Sequence, residues 1–327
     1  MKVLHVETGQ HLYGGAQQVA FLLRGLSARG VDCVLVCPPG AAIGQHFAGS
    51  PVQVIELRCG GDVDLGFAWR LHRVLREQRP DAVHLHSRRG ADVLGALAAR
   101  MAGVPCVLSR RVDNPESRLW VALKYRLHDR VIAISKGIAD VLAAEGVPAA
   151  KLRVVRSSLD PKPWQQPESR SAFAREFGVP EDAIWIGVVA QLIERKGHRV
   201  LFEALRRLPR RERLRLICFG QGPLREALQH EAADLGETVR FAGFRKDLNR
   251  WVGALDVLAH PALMEGLGVS LLQASAAGVP IIACRAGGMP EAVADGMSGL
   301  IVTPGDVDEL AAALRRLIED SALRQRF

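Results

Sequence analysis

Three stretches of this 327-residue chain combine side chains and glycines in ways that suit an anionic or hydroxylated ligand. The first is Thr8-Gly9-Gln10-His11-Leu12-Tyr13-Gly14-Gly15-Ala16-Gln17, a glycine-bearing loop that opens a helix. Free N–H groups at the positive helix end favour an anion, and glycine lets the backbone approach it closely. The loop is not the dinucleotide fingerprint G-x-G-x-x-G, and Asp32 begins the second strand rather than ending it, where a ribose-binding acid belongs. A plain turn is the competing reading. The second stretch, Gln191-Leu192-Ile193-Glu194-Arg195-Lys196-Gly197-His198, follows a buried strand. Lys196 can neutralise phosphate there as a compact charge, or simply belong to a solvated turn. The third is His260-Pro261-Ala262-Leu263-Met264-Glu265-Gly266-Leu267-Gly268-Val269-Ser270, a strand end, an acidic glycine loop and a helix start. The amides of Gly268 and Val269 face an anion, whereas Glu265 repels one and is better suited to accept hydrogen bonds from sugar-like hydroxyls. Its bland alternative is a helix N-terminal acid.

Elements that position these stretches are legible as a βαβ rhythm. Nearly all-apolar strands are predicted at Lys2 to Val6, Asp32 to Cys37, Val52 to Leu57, Ala82 to His86, Cys106 to Ser109, Val131 to Ile134 and Leu152 to Val155. Such strands belong to a parallel sheet covered on both faces. Prolines at 161, 163 and 167 break the rhythm, placing a domain link between Ser157 and Pro180. A second series follows at Ile184 to Ala190, Leu214 to Phe219, Thr238 to Phe241, Asp256 to His260, Pro280 to Cys284 and Gly299 to Val302. The last helix opens on a capping box, Asp306 with Glu309.

The length fits two domains of about 150 residues each. Apolar residues at 48% and charged residues at 24% describe an ordinary folded chain. No apolar run approaches the roughly 20 residues of a membrane span, and Met1-Lys2 leads straight into Val3-Leu4-His5-Val6 with no secretory signal, which reads as cytoplasmic. Cys33, Cys37, Cys59, Cys106, Cys218 and Cys284 show no C-x-x-C and no His-Cys cluster at metal spacing, so buried apolar thiols are expected and no metal. The net charge of +8 suits phosphorylated small molecules or anionic lipid. Nucleic acid is not expected, since no basic stripe interleaves with aromatics. Arg110-Arg111 to Arg130, with Trp120, Leu123 and Leu127, fits either a face toward anionic lipid, giving peripheral contact at the inner membrane face, or a core-packing helix; the latter is preferred.

Taken in order, Gly14-Gly15, Val83-His84-Leu85-His86, Ala133-Ile134-Ser135, Lys196-Gly197, Phe241-Ala242-Gly243, Glu265-Gly266-Leu267-Gly268 and Gly287-Gly288-Met289-Pro290-Glu291 resemble the glycosyl transferases group 1, family four of the retaining, metal-independent GT-B glycosyltransferases. The resemblance covers essentially the whole chain. It implies an α/β GT-B fold: two Rossmann-like parallel-sheet domains facing across a cleft, an acceptor domain over 1–160 and a nucleotide-sugar donor domain over 161–327. The donor is a nucleotide-diphosphate sugar, UDP-sugar by family habit, with no cofactor. The acceptor is a saccharide or lipid-linked saccharide, such as bacterial envelope glycan or lipopolysaccharide core.

The same resemblance implies roles. Lys196 and the amides of Gly268 and Val269 hold the diphosphate in place of a metal, with Gly266 and Leu267 completing that loop. Glu265 binds the sugar hydroxyls, backbone near Phe244 and Arg245 holds the base, and Gly14 and Gly15 approach the pyrophosphate. His86, which on its own reads as a structural strand-end histidine, positions the reacting sugar near its 6-hydroxyl. His86, Lys196 and Glu265 form the implied catalytic set, with Lys196 and Glu265 toward opposite ends of the donor. Departures from the pattern are Gln191 in place of a diphosphate-binding arginine, Gln273 in place of a ribose-binding acid, and Ser157-Ser158 before Leu159-Asp160. Arg195 is the candidate to replace the missing arginine. Competing classes are a GT-B epimerase or phosphorylase and a nucleotide-sugar-binding relative with impaired catalysis. The family's C-terminal segment crosses back onto the first domain. The chain ends at Phe327 before any such segment, which implies that this form binds nucleotide but turns over slowly.

Overall fold

The computed structural model describes residues 1–12, 14–87, 90–112 and 116–327. They form two compact units, Met1–Ser158 and Leu159–Phe327.

In the first unit, β1 (Lys2–Val6), β2 (Asp32–Cys37), β3 (Gln53–Glu56), β4 (Ala82–Leu85), β5 (Cys106–Arg110), β6 (Arg130–Ala133) and β7 (Leu152–Val154) form one parallel sheet in the order β3-β2-β1-β4-β5-β6-β7. The order reverses between β1 and β4, so loops leaving these two strands diverge and leave a crevice at their C-terminal ends. The helix Gly14–Ser27 closes one side, burying Ala16, Val19, Ala20 and Leu23 in a cluster with Leu35, Ile43 and Phe47. Ser158 N donates to Gln18 Oε1 (2.9 Å) and Gln18 Nε2 donates to Ser158 O (2.6 Å), so the Ser157-Ser158 turn is held by a buried side chain.

The second unit repeats the plan with β8 (Ile184–Val189), β9 (Leu214–Phe219), β10 (Val239–Gly243), β11 (Val257–His260), β12 (Ile281–Cys284) and β13 (Gly299–Val302), ordered β10-β9-β8-β11-β12-β13 and parallel throughout. Here the reversal falls between β8 and β11. The inner strands are buried on both faces, which is why they read as unbroken apolar runs, whereas the edge strand β10 is only half-buried.

Two elements differ from the sequence reading. The proline-broken stretch from Ser157 to Pro180 contains a helix, Arg170–Phe177, whose Phe173 and Phe177 pack with Trp185 and Trp251 in the second core. In the last part of the chain, Asp306 accepts from Glu309 N (2.9 Å), but Glu309 Oε2 accepts from Thr303 N (2.7 Å), so the reciprocal half of the capping box goes outside the helix.

The preference for a core-packing helix at Arg110 to Arg130 is corrected. Arg118–Lys124 is a short helix that buries Val121 and Lys124, while Leu119, Trp120 and Leu123 are 84%, 43% and 60% exposed. Lys124 turns inward because Asp92 (2.6 Å) and Glu116 (3.1 Å) neutralise it, and this rotates the apolar side chains out. No helix among the described residues is long and apolar enough to cross a membrane.

Candidate active site

The second unit's crevice is built from the loops after β8 and β11. Gly197 makes their contact possible: it has φ 72°, and a Cβ there would lie 1.9 Å from Pro261 O. Only glycine lets the two loops pass this closely. Leu263 N donates to Arg195 O (2.9 Å), and Arg195 Nη1 donates to Met264 O (3.3 Å), so Arg195 leans on the loop that carries Glu265.

Lys196 and Glu265 form an ion pair through Oε2. With the two loops in this arrangement, each is the other's charge partner. Lys196 is 8% exposed, so the pair removes an otherwise costly buried charge. His260 Nε2 approaches the same Oε2 at 3.2 Å, Gly266 N donates to Oε1 (3.1 Å), and Ser270 Oγ lies 3.3 Å from His260 Nδ1. Burial alone would raise the Glu265 pKa, but the hydrogen bond from His260 and the Lys196 charge outweigh it and hold the carboxyl well below its usual range. Glu265 O also accepts from Gly288 N (3.2 Å), which joins the Gly287-Gly288 loop to the site.

Beyond this pair, the helix Val269–Ala276 starts at Gly268 (φ 88°) without a side-chain cap, leaving first-turn amides to an anion. A Cβ on Gly268 would meet the Leu271 side chain at 2.7 Å. Leu267 is buried beneath the loop. Gln191 is exposed at the end of β8, and Gln273 lies half-buried on the helix. Phe244 is 46% exposed. The Arg245 side chain is spent on Asp247 (2.8 Å) and Glu176 (2.7 Å), so only its backbone is available to a base.

The first unit's crevice holds a histidine cluster. The parallel register sets His5 beside His84 and ends with His86 next to β1. One ring nitrogen of each lies within 4.8 Å of the others, a grouping that the spacing of histidines and cysteines along the chain does not reveal because the residues come from two paired strands. The lone pairs are engaged in other ways. His5 Nδ1 and His86 Nε2 are 3.0 Å apart with rings within 10° of coplanar orientation, a geometry that shares one proton. His84 Nε2 faces Ser109 Oγ at 2.8 Å, and Arg111 Nη2 faces His86 Nδ1 at 3.5 Å. Because arginine only donates, His86 carries its proton on Nε2 and His5 Nδ1 accepts it. Burial lowers all three histidine pKa values, that of His5 to about 4, so the rings are neutral.

Gly14 begins the neighbouring helix, and Gly15 is exposed at its first turn beside the Arg111 side chain. Tyr13 lies outside the described residues. Arg111, His5, His84, His260 and Ser270 were not singled out as site residues from the sequence. Arg111 gave a signal as part of the basic Arg110-Arg111 pair, His84 lay within the Val83-His84-Leu85-His86 motif, and His260 and Ser270 bounded the third glycine-bearing stretch, whereas His5 gave none beyond its place in a strand.

Comparison with known proteins agrees with this architecture. Residues 183–320 match the family described as glycosyl transferases group 1, and residues 13–157 match the glycosyl transferase 4-like domain. The chain is 27% identical over 331 residues to the lipopolysaccharide core biosynthesis glycosyltransferase LpsE of Rhizobium meliloti, covering all of this chain and 92% of that protein. It is 29% identical to a 2-deoxystreptamine glucosyltransferase of Streptomyces kanamyceticus, over 84% of this chain and 79% of that one. In structure it is similar to Anabaena HepE solved with UDP and glucose, with a TM-score of 0.88 at 23% identity over 100% and 92% of the two chains. Two parallel-sheet units, each with a glycine-lined crevice at its switch point, define a GT-B glycosyltransferase. The chain belongs to the group 1 glycosyltransferase family.

Proposed function

We propose that this glycosyltransferase moves a sugar from a nucleotide-diphosphate sugar, UDP-sugar by preference, to a saccharide or lipid-linked saccharide, retaining the anomeric configuration and needing no divalent metal. The observation that carries this reading is the Lys196–Glu265 pair beside the uncapped helix start at Gly268. A buried lysine and aligned amides offset the charge that grows on a departing diphosphate, the task a metal performs elsewhere. Glu265 accepts from the donor's hydroxyls, His86 positions the reacting sugar near its 6-hydroxyl, Gly15 approaches the pyrophosphate, and Gln273 meets the ribose. The UDP and UDP-glucose complexes of HepE support the donor class. The lipopolysaccharide core role of LpsE supports an envelope-glycan acceptor.

Leu119, Trp120 and Leu123, projecting beside exposed Arg118 and Arg126, favour peripheral contact with an anionic membrane that carries a lipid-linked acceptor. A calorimetric screen of nucleotide sugars in EDTA tests the donor reading. Binding of one donor without metal is expected, and a strict magnesium or manganese requirement contradicts it.

A further inference from the structure

Glu265 Oε2 receives two donors, Lys196 Nζ and His260 Nε2. An ionised carboxylate only accepts, so His260 carries its proton on Nε2. Its bare Nδ1 then accepts from the Ser270 hydroxyl. His260 is 2% exposed. The charged and titratable groups facing it are Glu265 on the loop after β11, Lys196 on the loop after β8, and His198 at the start of the following helix. His198 is itself neutral, pushed by burial to about 4. One carboxylate and one ammonium therefore cancel, and a proton on His260 would leave a net buried positive charge. Burial and then the Lys196 charge depress its pKa, against the opposing pull of Glu265.

The balance rests on Lys196 staying where it is. A diphosphate is a stronger acceptor for an ammonium than a carboxylate already shared with an imidazole. On the donor-site reading above, occupancy of the phosphate position draws Lys196 Nζ off Glu265 Oε2. We propose that His260 then takes up a proton from solvent and replaces Lys196 as the cation that neutralises Glu265, so that donor binding is coupled to protonation of His260. Lys196 keeps its own proton and moves with its charge to the phosphate. Ser270 serves both states, because its hydroxyl donates to a bare Nδ1 and accepts from a protonated one by rotating about one bond. His260 is thus a positioning residue that keeps Glu265 ionised and oriented toward the sugar after its lysine has gone.

The test is calorimetric titration of the full chain with UDP-glucose, whose two phosphates are both esterified and do not titrate near neutrality. It is carried out in two buffers of different ionisation enthalpy at about pH 6.5, near the ordinary histidine pKa. The expected result is uptake of at least about half a proton per ligand bound, shrinking toward zero as the pH rises by about two units. In His260→Gln, binding persists and the uptake disappears. In Ser270→Ala, which removes the acceptor for Nδ1–H and serves should His260→Gln not fold, the uptake at the same pH is reduced. Binding without proton uptake, or equal uptake in the variants, overturns this inference alone. Failure of UDP-glucose and the corresponding GDP- and ADP-sugars to bind overturns the donor-site reading and this inference with it.

Discussion

Lys196 is ion-paired with Glu265, 69 positions further along the chain. Since the lysine must leave the carboxylate to reach a phosphate, the two residues oppose each other in nucleotide binding. Lys196→Met is expected to weaken UDP binding about tenfold to a hundredfold, the loss of one charge-assisted contact. Glu265→Gln is expected to tighten UDP binding a few-fold, because the lysine is no longer held, while turnover falls by about a hundredfold or more. Titration with UDP alone checks the first two effects. Weaker UDP binding in Glu265→Gln contradicts the competition.

The pair depends on the loop crossing at Gly197. Gly197→Ala puts a Cβ against Pro261 O at a left-handed φ. The strained backbone and the overlap together are expected to cost about 3 kcal/mol or more. Urea denaturation of this variant checks it; a midpoint unchanged from the parent chain would show that the loops yield freely.

His198 is 2% exposed and neither ring nitrogen has a hydrogen-bond partner. Burial holds its folded pKa at about 4, below the roughly 6.5 of an unfolded chain. The unfolded state therefore binds the proton first, so this contribution to stability is complete above about pH 6.5 and declines as the pH falls toward 4. Between pH 7 and 5 the loss is about 2 kcal/mol from this group. His198→Leu is expected to be neutral or stabilising at pH 7 and to widen its advantage at pH 5 by about 5 °C in Tm. Parallel shifts of both proteins with pH would show that His198 does not titrate on unfolding.

The outward-facing Leu119, Trp120 and Leu123 are expected to bind vesicles that contain anionic lipid. The double variant Trp120→Ser, Leu123→Ser should lower partitioning about tenfold or more, with raised salt also reducing it. Vesicle sedimentation measures this, and equal binding to neutral vesicles would remove the electrostatic part of the argument.

The inner strands were legible because parallel strands covered on both faces must be nearly all apolar, as at Leu214–Phe219 and Ile281–Cys284, whereas the partly exposed edge strands Gln53–Glu56 and Leu152–Val154 were legible from the βαβ rhythm. The glycine loops were legible because Gly197 and Gly268 sit where only glycine fits. The partnerships inside the site were not. Lys196 with Glu265, and His5 with His84 and His86, meet through strand pairing across long sequence separations, and a one-dimensional pattern carries no register between distant strands. Lys124 misled for a related reason. Its inward turn depends on Asp92 and Glu116 from other segments, which is why the core-packing reading of Trp120 and Leu123 failed.

The central claim is sugar transfer from a nucleotide donor through the Lys196–Glu265 site. Its most direct test is mass spectrometry of saccharide and lipid-linked saccharide acceptors incubated with the protein, UDP-glucose and other nucleotide sugars, and EDTA. The expected result is a mass gain of one sugar residue on an acceptor with release of the nucleoside diphosphate, abolished or reduced about a hundredfold in Glu265→Gln. A mass gain that is undiminished in Glu265→Gln and Lys196→Met, or one that appears only when metal is restored, would contradict it.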